Sequence, residues 1–197
     1  MIARKTCYKP CSGKPFHSFF LFLICWRFNL VEDTYNIQDA LEKWFAGADR
    51  VVIAGIGNPI RSDDFVGVKI VQDLKGKVSD KVNLLECETV PESFMQEIID
   101  IKPSHMLLID AATLGLKPGY TRLVFPEQVA HFPAVTTHIL PLRIFCDYIT
   151  KIAEAKVALL LIEPENTDFG ECLTPKVRVA AEKATQILLK CLLTIHN

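Results

Sequence analysis

The chain has no Cys-x-x-Cys pair and no even, closely spaced set of cysteines; its seven lie at 7, 11, 25, 87, 146, 172 and 191. An odd, scattered set in a chain of 197 residues argues against a disulfide framework, which smaller secreted domains need. Cys7 and Cys11 have ligand-like spacing, but no second pair or His cluster completes a zinc site. Positive charge is also in short supply. Lys and Arg number 22 against 23 Asp and Glu, so the basic patch of a nucleic-acid-binding protein is not expected. No apolar run reaches the roughly 20 residues that cross a bilayer, so no stable membrane insertion is expected. There is no Gly-x-Ser-x-Gly elbow, no internal repeat and no low-complexity tract. Together these absences leave one well-buried domain in a reducing cytoplasm.

What is present falls into unequal parts. Residues 1–30 differ from the rest: "MIARKTCYKPCSGK" is basic and broken by Pro and Gly, and "FFLFLICW" (19–26) is a short apolar run. They mimic a signal peptide, but Arg27-Phe28-Asn29 follows the run where small residues would be needed, and Ala46-Gly47-Ala48 lies too far downstream. Residues 1–30 therefore read as a poorly structured or non-native extension, with a membrane anchor or a packed accessory element as the alternatives. Residues 31–49 read as a peripheral element around a helix at 37–46, where Ile37, Leu41, Trp44 and Phe45 recur at helical spacing between Asn36 and Gly47.

Residues 50–197 read as a single α/β domain. Strands are expected at 51–54, 82–87, 105–110, 120–125 and 156–165. Helices are expected at about 63–75, 91–101, 136–155 and from Pro175 to about 195, with Thr174 as the cap of the last. Strands alternating with helices predict a three-layer fold: a mostly parallel, twisted sheet of about five strands with helices on both faces.

Functional groups in such sheets gather at the carboxyl ends of the strands. Asp63 and Asp64 follow the first strand, Asp110 ends the third, and His138 lies at or before a helical start. Carboxylates and an imidazole brought together suit nickel, zinc or another borderline transition metal better than calcium. Each residue also has a plainer reading. Asp63 can be a helix cap, Asp110 a loop anchor, and His138 a structural residue. His105 sits at the opposite end of its strand and reads as structural; His131 and His196 belong to no constellation.

"VVIAGIGNPIRSDD" also begins like a dinucleotide loop. Ile60 replaces the third glycine, Pro59 removes a backbone N–H, and two aspartates would repel a pyrophosphate. Only Glu86, near the end of the next strand, favours that reading. Ser62 and Cys87 are poor nucleophile candidates, since neither has an evident activating partner; a metal-bound water would serve without them.

Four segments in order resemble the hydrogenase maturation endopeptidases: "GIGNPIRSDDFVG" (55–67), "LLIDAA" (107–112), "TTHILPL" (136–142) and "EPENTDFGECLTPKV" (163–177). The third is most similar to the formate-hydrogenlyase-type branch. Phe65 stands where many members have Gly. The resemblance implies an endopeptidase that removes the C-terminal propeptide of a [NiFe]-hydrogenase large-subunit precursor after nickel insertion. It implies nickel ligands Asp64, Asp110 and His138, a neighbouring acid at Asp63, and loop-shaping Gly55, Gly57 and Asn58. Asp64 or Asp63 could act as general base. Nickel would arrive on the substrate, so the free enzyme is expected to be metal-free. The alternative is a non-catalytic nickel- or precursor-binding chaperone on the same fold.

Overall fold

The structure, a computed structural model, describes residues 36–129, 139–193 and 195. The readings placed on residues 1–30 and on His131, His138 and His196 lie outside these residues. Asn36–Asn197 form one compact unit.

Helix α1 (Ile37–Trp44) starts at Asn36, whose side chain accepts from Gln38 N. Its apolar stripe drives it into the core, with Leu41 and Phe45 buried. Strand β1 (Val51–Ile56) runs two residues further than the β-branched run suggests, and every residue of it is buried. A 3-10 turn at Ser62–Phe65 then leads into α2 (Val66–Leu74), which buries Val66, Ile70, Val71 and Leu74. Strand β2 (Val82–Glu88) follows, then a 3-10 turn at Pro91–Phe94, α3 (Met95–Ile101) and β3 (His105–Ala111). Next come β4 (Thr121–Val124), the short α4 (Pro126–Val129), α5 (Ile139–Ile152), β5 (Lys156–Ile162) and α6 (Pro175–Leu193). Helix α4 was not expected; four residues carry too little periodicity to register.

The five strands lie in the order β2-β1-β3-β5-β4. All pairings are parallel except β4 with β5, where Thr121 meets Ile162. The fold is thus the expected mostly parallel three-layer sandwich. Strand residues alternate between its two cores. Ile53, Leu107, Ile109 and Leu160 face α1, α2 and α6. Val52, Met106, Leu108 and Leu159 face α3 and α5. Helix α6 contributes Val177, Ala181, Ala184, Leu188 and Cys191, a helical stripe pressed on the sheet. Truncating a core leucine such as Leu188 would cost about 2–5 kcal/mol.

This order contains a reversal. From β1 the chain crosses to β2 on one side, then returns to β3 on the other. The carboxyl ends of β1 and β3 therefore flank the topological switch point, where open α/β sheets carry their sites. Only three residues join α5 to the amino end of β5, so α5 runs down its face from the carboxyl edge, starting at Ile139.

Candidate active site

The loop after β1 is shaped by contacts that only glycine permits. Gly57 has φ +140°, and a Cβ there would lie 1.8 Å from the Asp64 carbonyl oxygen. Its N–H donates to Glu88 O at 2.8 Å, tying the loop to β2. Asn58 then turns the chain: its Oδ1 accepts from Ile60 N, while its own N–H donates to Asp64 Oδ2 at 2.9 Å. The role expected of Gly55 and Gly57 extends to Gly67. A Cβ on Gly67 would lie 2.1 Å from Ile109 O and 2.4 Å from Ile56 O. The first turn of α2 rests directly on the main chains of β1 and β3. In a dinucleotide fold the third glycine of the motif gives this close helix–strand packing; here it comes ten residues after Gly57.

The two neighbouring aspartates have different surroundings. Asp63 is fully buried. Its Oδ2 accepts from Glu165 N, Asn166 N and Thr174 Oγ1, and its Oδ1 from Thr174 N, at 2.6–3.0 Å. Its own N–H donates to Asn166 O. The segment after β5 is strapped on further by Ser62 N to Gly170 O, Gly170 N to Ile60 O, and Arg61 Nε to Thr167 O. Ser62 takes a left-handed φ of +45°, which lets the strap close against it. Thr174 does start α6, its C=O accepting from Arg178 N, but its hydroxyl is turned to Asp63. Asp63 has the surroundings of a loop anchor. The sequence had offered it as a base or a cap; its actual partners lie more than a hundred residues away.

Asp64 is half-buried and holds only the Asn58 N–H by a hydrogen bond among the described residues. It faces Asp110, the penultimate residue of β3, which is 7% exposed. Burial first, and the Asp64 charge second, push the Asp110 carboxyl up from 3.8 to about 8; a hydrogen bond with the Ala111 backbone offsets part of this. Burial and the neighbouring charge thus both favour the neutral form of Asp110. Two opposed carboxylates at the switch point are an arrangement that a cation relieves. Among the described residues no cluster of three or more His, Cys, Asp or Glu forms a complete ligand set. His138, the third expected ligand, lies outside those residues and directly precedes Ile139 of α5.

Other candidates fall away. Glu86 forms an ion pair with Lys75 and accepts from Gln72 Nε2 at 2.8 Å, which holds its carboxyl below the usual range. It is committed to the end of α2. Burial, with Glu97 and Glu92 adding, pushes the Cys87 thiol up to about 12, so it is no thiolate nucleophile. His105 lies at the amino edge, packed on Trp44 and Phe45. Among the described residues no helix is long and apolar enough to cross a membrane.

Sequence reasoning named the acids but missed Gly67, Gly170 and Glu163. Gly67 carried a usable signal, a glycine within an otherwise apolar helix face. Glu163 and Gly170 lie in the quoted segment 163–177, but their roles were not readable because their partners are remote in sequence.

Comparison with known proteins bears on the family and the fold. The family model described as HycI, hydrogenase maturation protease, matches residues 68–191. The hydrogenase 3 maturation protease of Escherichia coli K12 is 27% identical over 137 residues, covering 70% of this chain and 87% of its own length. The crystal structure of the [NiFe] hydrogenase maturation protease HycI from Thermococcus kodakarensis KOD1 superposes with a TM-score of 0.72 at 32% identity, covering 78% of this chain and 99% of that one. The maturating endopeptidase HybD of Escherichia coli shares the fold, with a TM-score of 0.62 at 22% identity, over 75% of this chain and 94% of its own. A family-model match across more than half the chain makes this protein a member of the hydrogenase maturation protease family.

Proposed function

We propose that this protease removes the C-terminal propeptide of a [NiFe]-hydrogenase large-subunit precursor, and that Asp64, Asp110 and His138 recognise the nickel carried by that substrate. One observation carries the reading: Asp110, buried at the carboxyl end of β3, and Asp64, on the loop after β1, lie on either side of the switch point between the two strands. A divalent ion presented by the substrate replaces the proton on Asp110 and removes the repulsion from Asp64. Precursor lacking the ion offers no such gain, so selection follows from differential affinity. The nickel is cargo of the substrate, and the enzyme is expected to act from a metal-free resting state in the cytoplasm.

Within this reading Asp64 is also the residue with freedom to take a proton from an attacking water. Asp63 holds the loop in place and touches no substrate. The nickel, when presented, can polarise the scissile carbonyl or bind the water.

The test is cleavage of nickel-loaded and nickel-free precursor, read by mass spectrometry of the precursor C-terminus. Cleavage of the loaded form alone is expected. Equal cleavage of both forms rejects nickel recognition, and an intact loaded precursor bound to the protein favours a chaperone.

A further inference from the structure

The carboxylate of Glu163 has no part in the chemistry above, yet it is 5% exposed at the same edge of the sheet. Glu163 is the first residue after β5. Its Oε2 accepts from Leu114 N at 2.7 Å and from Leu116 N at 3.2 Å. Its main-chain O accepts from Gly119 N, and its main-chain N–H donates to Tyr120 O, both at 2.8 Å. One residue thus makes four hydrogen bonds to the connection between β3 and β4.

That connection begins two residues after Asp110, where β3 ends at Ala111. The β3 ladder ends with Ala111 opposite Ile162, and a last bond runs from Ala112 N to Ile162 O at 3.0 Å. Beyond that point the chain has no strand pairing until Thr121. Gly115, with φ +74°, turns it so that the N–H groups on either side meet the same oxygen. Main-chain donors converging on a buried carboxylate form stiff, charge-assisted bonds. The next residues along, Glu165, Asn166 and Thr174, hold Asp63 and with it the loop of Asp64. Residues 163–174 therefore grip the loop of Asp63 and Asp64 and the connection after β3 from one piece of chain.

We propose that Glu163 is a positioning residue for the peptidase: it holds the 113–120 connection so that the chain leaving Asp110 keeps its place relative to the Asp64 loop. The inference rests on the reading of Asp64 and Asp110 given above. It assigns Glu163 no contact with substrate and no proton transfer, only the acceptance of two N–H groups.

The test uses full-length protein with Glu163→Ala and Glu163→Gln. The readouts are amide hydrogen exchange at Leu114 and Leu116, kcat and KM for cleavage of nickel-loaded precursor, and the pH profile. In Glu163→Ala both amides should exchange at least about tenfold faster, and kcat should fall by about 10–100-fold, the scale of losing an outer-shell support. In Glu163→Gln the amide oxygen still accepts both bonds, so exchange, kcat and pH profile should stay within about threefold of the parent, as mere replacement of one acceptor by another. Loss of activity in Glu163→Gln equal to that in Glu163→Ala would show that the charge itself is used, and would overturn the positioning role. Fast exchange in Glu163→Ala with parental kcat would overturn it as well. If Glu163→Ala does not fold, Gly115→Val disturbs the same loop from outside: no heavy atom lies within 4 Å of a Cβ there, so only the left-handed backbone is strained. It should lower kcat while keeping a cooperative thermal transition, shifted down only by the strain of that one residue, and parental kcat there would refute the proposal. Failure of the parent protein to cleave any precursor would reject the proposed function; the exchange readout would still report on the clamp.

Discussion

The two edges of the sheet each bury a titratable side chain, and they treat it in opposite ways. At the amino edge His105 opens β3, with its ring 5.1 Å from that of Trp44 and 6.4 Å from that of Phe45. Burial pushes its pKa down, and the Lys156 charge adds to this. The neighbouring Ser104 hydroxyl ties the edge together, accepting from Asp49 N and donating to Arg50 O, both at 3.0 Å. Burial favours the neutral ring of His105, which packs on the aromatic rings with its Nδ1 3.0 Å from the Ser104 hydroxyl oxygen. At the carboxyl edge Asp110 is also driven neutral, but a second carboxylate stands beside it. One edge is sealed. The other keeps an electrostatic tension that a proton or a cation can discharge, which is the mark of a functional site.

The largest expected effect that sharpens this contrast is at Asp110. Asp110→Asn should lower cleavage of nickel-loaded precursor more than about a hundredfold, beyond the loss typical of an outer-shell support. The same change should stabilise the metal-free protein at pH 8. The sign follows from proton counting. The native Asp110 carboxyl, at about 8, binds protons that the unfolded one, near 3.8, has released. Between these values native protein holds more protons than unfolded protein, so stability falls as pH rises through the window and levels off above it. Urea unfolding across pH 4–9 should show this slope in the parent and its loss in Asp110→Asn. A parent with no such slope would remove the tension from the picture.

Asp63 comes next. Asp63→Ala leaves several buried N–H donors without an acceptor, at a cost on the order of 3 kcal/mol or more. Asp63→Asn should recover part of that stability through its remaining oxygen. Parental stability with abolished cleavage in Asp63→Asn would instead make it a catalytic group.

Gly67→Ala should destabilise by about 1–3 kcal/mol and reduce cleavage, because the new methyl must push α2 off the main chains of β1 and β3. Differential scanning calorimetry alongside the cleavage assay separates the two effects.

The smallest effect is expected at the sealed edge. His105→Phe should leave cleavage within about twofold and change stability by less than about 1.5 kcal/mol, as a near-isosteric core swap does. Its lowered native pKa means that stability is lost as pH falls through the ordinary range of an unfolded histidine, near 6.5. Loss of that acid-side fall in His105→Phe, measured by thermal unfolding at pH 5–7, is the check. A large loss of activity would mean that the two edges are not independent.

Much of the fold was legible because its signals are local. The apolar runs at 51–56 and 156–162 and the stripe Val66, Ile70, Val71 and Leu74 carry their signals within a few residues of themselves. Strand ends were less legible. Strand β5 stops at Ile162, although the apolar run leads into Glu163-Pro164-Glu165, because its strand pairing with β3 and β4 goes no further than Ile162. The site was legible in part. Asp64 and Asp110 announce themselves as acids at strand ends, and "GIGN" as a tight turn.

By itself the sequence determined the alternation of elements, the order of the acidic motifs and the glycines that turn off β1, because helix and strand periods and φ preferences act over a few residues. Tertiary structure decided how the acids divide their work. Asp63 and Asp64 are neighbours of the same chemistry, and only the strap from 163 to 174 makes one an anchor and leaves the other open. Glu163 likewise acquires its role from Leu114 and Leu116, nearly fifty residues earlier. A carboxylate's function depends on which donors and charges surround it in space, and that arrangement exists only once the chain has folded.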